Sequence, residues 1–211
     1  MKGSLITFEG IDGSGKSTQI NMLENEFNKL GVDYVTFREP GGTELSEKIR
    51  EILLDKKHIE LISTAESLLF AAARAQLTAE QIKPAINRGE FVFCDRFTDS
   101  TIAYQGYGRG LDIEKLEEIN NIATDGLNPE ITFILDINPN IARLRMEADS
   151  LDRMEDAGDD FFKRIREGYH QIKDQNPNRC VEINADQSKE CVFRDIRETL
   201  MDKFEGVFIC S

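Results

Sequence analysis

Leu5-Ile6-Thr7-Phe8-Glu9-Gly10-Ile11-Asp12-Gly13-Ser14-Gly15-Lys16-Ser17-Thr18 decides the fold class. A short β-branched and aromatic run ends at Gly10, and residues 10–17 then fit G-x-x-x-x-G-K-[ST]. A helical pattern opens at Lys16. Strand, glycine-rich loop and helix, in that order, form the context in which this string binds nucleotide phosphates. The glycines let backbone N–H groups curl round a phosphate, and the helix N-terminus adds its dipole. The lysine, here Lys16, reaches the β- and γ-phosphates, and the hydroxyl, here Ser17, ligates Mg²⁺. Gly10, Ile11, Asp12, Gly13, Ser14, Gly15, Lys16, Ser17 and Thr18 are therefore the candidate nucleotide-phosphate-binding loop.

Working outward, four more short apolar runs lie at 34–37, 91–94, 131–135 and 180–183. Helical patterns cover 16–30, 44–54, 65–88, 113–125, 139–149, 159–175 and 188–204. Near-continuous apolar runs alternating with helices predict an α/β fold, an open five-stranded parallel sheet with helices on both faces. No linker composition or internal repeat divides the chain, so residues 1–211 read as one P-loop domain. The polar stretch 147–160 is expected to belong to a mobile segment inside it.

The chain has 26 basic and 39 acidic residues, a net charge of −13. Its mean field repels phosphate, which argues against nucleic acid or an anionic membrane as partner and for a local phosphate site. Cys94, Cys180, Cys191 and Cys210 show no C-x-x-C spacing, and with only His58 and His170 they leave little for zinc. The N-terminal run is too short for a signal peptide and no stretch approaches a membrane span, so a cytoplasmic location is expected.

Asp95-Arg96 directly follows the 91–94 run. A carboxylate at that strand end faces the phosphate loop and suits Mg²⁺ held through water. An arginine beside it makes sense where a second phosphate is gripped in a bidentate fashion. Arg38-Glu39-Pro40-Gly41-Gly42-Thr43 follows the 34–37 run, at the strand edge where open α/β sheets bind ligands. A guanine-reading N-K-x-D string does not occur. A phosphotransferase is the leading reading. Which nucleoside or nucleoside monophosphate such a kinase takes stays open at this point, and a nucleotide-dependent switch or binding module is the rival from another class.

The strings FEGIDGSGKSTQ, REPGGT, LLFAAARAQ, DRFTDSTIAYQG and DRMED…FFKRIREGY resemble the bacterial thymidylate kinase family from residue 5 to about 186. The resemblance implies phosphorylation of dTMP to dTDP by ATP and Mg²⁺ on a nucleoside-monophosphate-kinase-like sheet, usually in a homodimer. It implies that Phe70 stacks on thymine, that Arg74 bonds the pyrimidine edge, and that Ser100, Thr101 and Gln105 complete base recognition. Arg96, with Arg38 and Arg50, resembles the grip on the dTMP phosphate. Asp12 resembles the acceptor for the 3′-hydroxyl, Tyr104 the ring against C2′, and Glu39 a further acceptor. From spacing alone, Phe70 also suits core packing and Asp12 an Asx-turn. Ser17, with Asp95 through water, would hold the metal. Residues 143–160 read as a lid. Some family members carry a basic residue where Gly13 stands, so the catalytic cation is expected from Arg153, beside Lys16, Asp95 and Arg96. Arg143 is the expected donor-side contact, with Arg145 in reserve, and Asn184-Ala185-Asp186 the adenine loop.

Overall fold

A computed structural model describes residues 3–58, 60–146, 158–204 and 206–207. Five strands form one parallel sheet: β1 (Ser4–Glu9), β2 (Tyr34–Arg38), β3 (Phe91–Asp95), β4 (Ile131–Asp136) and β5 (Cys180–Asn184). Their order is β2-β3-β1-β4-β5. The central strand β1 pairs on one side with β3 (Phe8 opposite Asp95) and on the other with β4 (Phe8 opposite Phe133). The helices are α1 (Lys16–Leu30), α2 (Glu44–Leu54), α3 (Ser63–Leu77), α4 (Lys83–Asn87), α5 (Thr98–Thr101), α6 (Ile113–Thr124), α7 (Pro139–Arg145), α8 (Asp159–Gln175) and α9 (Lys189–Lys203).

The strand pleat sends neighbouring residues to opposite faces. Phe91 and Phe93 pack edge-on against Phe27 of α1. Val92 and Cys94 face the other way, into a cluster with Leu5, Leu77, Ile82 and Ala85 from β1, α3, the α3–α4 connection and α4. Both sheet faces are thus covered, as continuous apolar runs require. Within the sheet, the hydroxyls of Thr7 and Thr132 bond each other across β1 and β4 at 2.8 Å, so neither buried group is left without a partner.

Three elements depart from the sequence-based expectation. The helix expected over 65–88 runs through, but Thr78–Ile82 widens into a π-turn. Pro84 explains it: the ring has no N–H to donate and would strike the carbonyl one turn earlier. The helix expected over 139–149 stops at Arg145, with Met146 extended. An unexpected helix, α5, continues as a π-helix over Ile102–Gly108. Its two glycines read as breakers, yet Gly108 is needed, since a Cβ there would collide with the Phe161 ring of α8. Tertiary packing outweighs propensity at this point.

Candidate active site

The phosphate loop leaves the end of β1, where the strand order changes side and open α/β sheets bind ligands. Gly15 caps α1 in the left-handed conformation with no side-chain cap, so the first amides of a 15-residue helix stay open to an anion. Lys16 is 6% exposed and its Nζ donates to Gly10 O (3.1 Å) and Ile11 O (3.2 Å). Burial, with the Arg96 charge next, lowers its pKa. Ser17 Oγ donates to Asp95 Oδ2 at 3.0 Å. Ser14 Oγ is buried without a partner among the described residues, as suits a phosphate-facing hydroxyl. Gly13 has φ +78°, and a Cβ there would run into the backbone carbonyl of Ala142 in α7. These residues line a cleft of about 710 Å³ with Arg38, Glu39, Arg50, Arg96, Arg145 and Ala185 among its walls.

Arg96 is held at φ +71° immediately after β3, its N–H bonded to Phe8 O at 2.9 Å. Its guanidinium donates to Asp12 Oδ1 (2.6 Å), Gly10 O (3.0 Å) and Tyr104 OH (3.1 Å), and stacks over the Tyr104 ring. Burial alone would raise the Asp12 carboxyl, but the Arg96 and Lys16 charges hold it down at about 2. The turn beyond Arg96 is anchored by Glu9, which is fully buried. Glu9 accepts from Phe97 N (2.8 Å), Ser100 N (3.2 Å), Ser100 Oγ (2.5 Å) and Tyr169 OH (2.9 Å). Burial, and the Asp99 charge second, push the Glu9 carboxyl up to about 7 despite these donors.

A second cavity of about 100 Å³ opens beside the cleft, lined by Phe70, Arg74, Ser100, Thr101, Tyr104 and Gln105 among others. Phe70 lies one turn from Arg74 on α3. All three Arg74 nitrogens are engaged. Nε bonds Glu39 Oε2 (2.8 Å), Nη1 bonds Thr101 Oγ1 (2.9 Å) and Asn120 Oδ1 (2.6 Å), and Nη2 bonds Phe97 O (2.9 Å) and faces Glu39 Oε2 (2.7 Å). Burial raises the Glu39 pKa against the pull of Arg74, and its Oε1 has no partner among the described residues. Arg38 donates to Pro40 O and to Glu47 Oε2, both at 2.9 Å, while Arg50 donates to Pro40 O at 3.1 Å.

The structure thus gathers the expected loop residues from Asp12 to Thr18, the two expected metal residues and the expected acceptor-side residues around two adjoining cavities, while Gly10 and Ile11 line neither. The lid is different. Arg143 does not line the cleft; its guanidinium pairs with Asp159 at 2.7 Å. Arg145 takes that place, donating to Ala185 O at 3.1 Å. Of the expected adenine loop only Ala185 lines the cleft, joined by Gln187, Lys189 and Val192. Arg153 and most of the expected lid lie outside the described residues. Sequence reasoning missed Glu9, Glu47, Glu66, Asn120 and Tyr169, all of which hold site residues in place. Glu9 had a signal: a carboxylate inside a buried strand demands partners.

A family model described as thymidylate kinase matches residues 8–196. The thymidylate kinase of Chlorobaculum tepidum is 48% identical over 202 residues, covering 91% of this chain and 94% of that protein. That of Exiguobacterium sp. is 43% identical over 206 residues, 97% of both chains. Among solved structures, the crystal structure of thymidylate kinase from Ehrlichia chaffeensis aligns with a TM-score of 0.79 at 36% identity, over 95% of this chain and 100% of that one.

Proposed function

This chain belongs to the thymidylate kinase family and phosphorylates dTMP with ATP as donor, and we propose that it does so across the wall shared by its two cavities. Asp12, Glu39, Arg50 and Arg96 line both cavities. That shared wall carries the reading: a base pocket opening onto a phosphate cleft suits transfer between two nucleotides, whereas a switch needs one. The donor lies along the loop from Gly10 to Thr18, with Lys16 on its β- and γ-phosphates and Arg145 beside Ala185 on its nucleoside side. The thymine enters against Phe70, and the dTMP phosphate meets Arg96, with Arg38 and Arg50 flanking it.

A phosphate oxygen of dTMP then attacks the γ-phosphorus as the bond to the β-bridging oxygen breaks, giving dTDP and ADP. That oxygen is already ionised near neutral pH, so no general base is required. Positioning and charge neutralisation by Lys16 and Arg96 carry the catalysis. Arg153, from a lid over about 143–160, is the proposed further cation. The oxygen pair of Ser17 and Asp95 fits a hard, partly hydrated Mg²⁺, Ser17 directly and Asp95 through water. Bound there, the ion would neutralise developing phosphate charge.

The reading includes one P-loop unit acting as a cytoplasmic homodimer. Leu45 and Ile52 on α2, Leu68 on α3 and Ile122 on α6 are exposed apolar residues on helices that pack in sequence against one another, which supports self-association. Sedimentation tests that point. Acceptor identity is tested by coupled ADP release with dTMP, dUMP, dCMP, AMP, thymidine and no acceptor. Release independent of dTMP would remove the kinase reading.

A further inference from the structure

Glu66, Phe70 and Arg74 recur every four residues on α3, so they share one helix face. Phe70 and Arg74 line the base pocket. Glu66 sits one turn behind, 1% exposed, and its Oε1 accepts from Gln105 Nε2 at 3.0 Å. Gln105 is itself 2% exposed and lines the same pocket. Arg109 also flanks the carboxylate, its Nε 3.5 Å from Glu66 Oε1 and its guanidinium over the Phe161 ring at 4.7 Å. An ionised carboxylate only accepts, so this contact admits the nitrogen end of the amide and no other. The carbonyl oxygen of Gln105 is the end left for the pocket.

We propose that Glu66 is a positioning residue for base specificity: it locks the Gln105 carboxamide so that a carbonyl acceptor, and not an amide donor, faces the incoming base. The inference rests on the reading of this cavity as the acceptor-base site. An acceptor matches the N3–H of thymine or uracil. Cytosine presents a bare N3, so two acceptors would meet in a buried site and neither would be satisfied. An unlocked amide would turn over and offer its NH₂ to either base. Discrimination at N3 therefore depends on a residue that never touches the substrate.

The test compares wild type with Glu66→Gln, whose own amide can donate to Gln105 and release the lock. We expect kcat/KM for dTMP to fall about 10-fold, mainly through KM for dTMP, with KM for ATP held within about 2-fold. The dTMP:dCMP ratio of kcat/KM should shrink by about 10-fold or more. In a Gln105→Met background the same Glu66→Gln change should leave that ratio unmoved, because the proposed effect of Glu66 on the base runs through Gln105. A dTMP:dCMP ratio unchanged by Glu66→Gln in the otherwise wild-type chain overturns the proposal. A wild-type enzyme that prefers dCMP overturns the acceptor reading, and the proposal with it. A readout on the wild-type chain alone is proton exchange at the Gln105 carboxamide. It should be slow and stay slow when dTMP binds, whereas fast exchange or lost protection would overturn the lock.

Discussion

Arg96 Nη2 lies 2.6 Å from Asp12 Oδ1, and Lys16 Nζ lies 3.9 Å from the same oxygen. One carboxylate therefore stands between the proposed cation for the acceptor phosphate and the proposed cation for the donor phosphates. It keeps both charged groups oriented before either phosphate arrives, at the point where the two cavities meet.

Asp12→Ala should damage the acceptor side more than the donor side. Losing a charge-assisted bond to Arg96 is worth about 2 kcal/mol, so KM for dTMP should rise about 10-fold or more while KM for ATP moves less. Steady-state kinetics with each substrate varied in turn checks this. A large loss of ATP affinity with dTMP untouched would make Asp12 a loop-holding residue only. Its carboxyl is held near 2, so it stays ionised across the working range and no step in the dTMP profile belongs to it.

Glu9 should make stability depend on pH in the direction opposite to an ordinary paired carboxylate. Its folded pKa is about 7 against 4.5 for the free group, so the native state binds the extra proton between those values. The contribution is fully present below about 4.5 and is lost as pH rises through about 7. A shift of this size corresponds to a loss on the order of 3 kcal/mol. Urea melts of wild type and Glu9→Gln at about pH 5 and about pH 7.5 isolate it, the gap between the two proteins changing with pH. A gap that does not change would remove Glu9 as the titrating group.

Tyr104 sets selectivity for deoxyribose in this reading. Its hydroxyl accepts from Arg96 at 3.1 Å and reaches Asp12 Oδ2 at 3.4 Å, so the ring is fixed between the phosphate and base subsites. Replacing it with a smaller side chain should narrow the preference for dTMP over its ribonucleotide counterpart. If activity falls and the ratio stays, the ring is structural.

The arginines near the lid separate by their partners. Arg153→Ala should lower kcat on the order of 10³-fold with smaller changes in KM, the behaviour of a cation met only in the transition state. Arg145→Ala should raise KM for ATP more than Arg143→Ala, because Arg145 lines the cleft and Arg143 is paired with Asp159. Full activity in all three variants would end the lid-arginine mechanism.

Much of this arrangement is legible in the sequence because local rules fix it. The phosphate loop is contiguous, and its strand, turn and helix residues agree at every level. Phe70 and Arg74 are readable as a pair because helical spacing joins them. Glu66 extends the same stripe by one turn and was legible on the same rule, but its role depends on Gln105, 39 residues away. Asn120 and Tyr169 meet the site through tertiary contacts, Asn120 with Arg74 and Tyr169 with Glu9 and Ser100, so no local pattern marks them. The helix over 98–108 was hidden by two glycines, Gly106 facing α6 and Gly108 facing α8, whose purpose is close approach. Arg143 and Arg145 share the end of α7 and an arginine-rich string, and only the chain's exit geometry decides which one faces the cleft.

The seating of α7 on Gly13 bears on how such enzymes diverge. A side chain at position 13 would strike the carbonyl of Ala142, so a basic residue introduced there cannot simply add a second cation to the loop. It would first have to lift α7, and so disturb the proposed lid arrangement before a new one works. With the proposed Arg153 as the catalytic cation, arginine in the loop and arginine in the lid would be alternative solutions, exchanged by concerted change at positions 13 and 142. Laboratory lineages selected from this chain should accordingly acquire changes around Ala142 before, or together with, any substitution of Gly13.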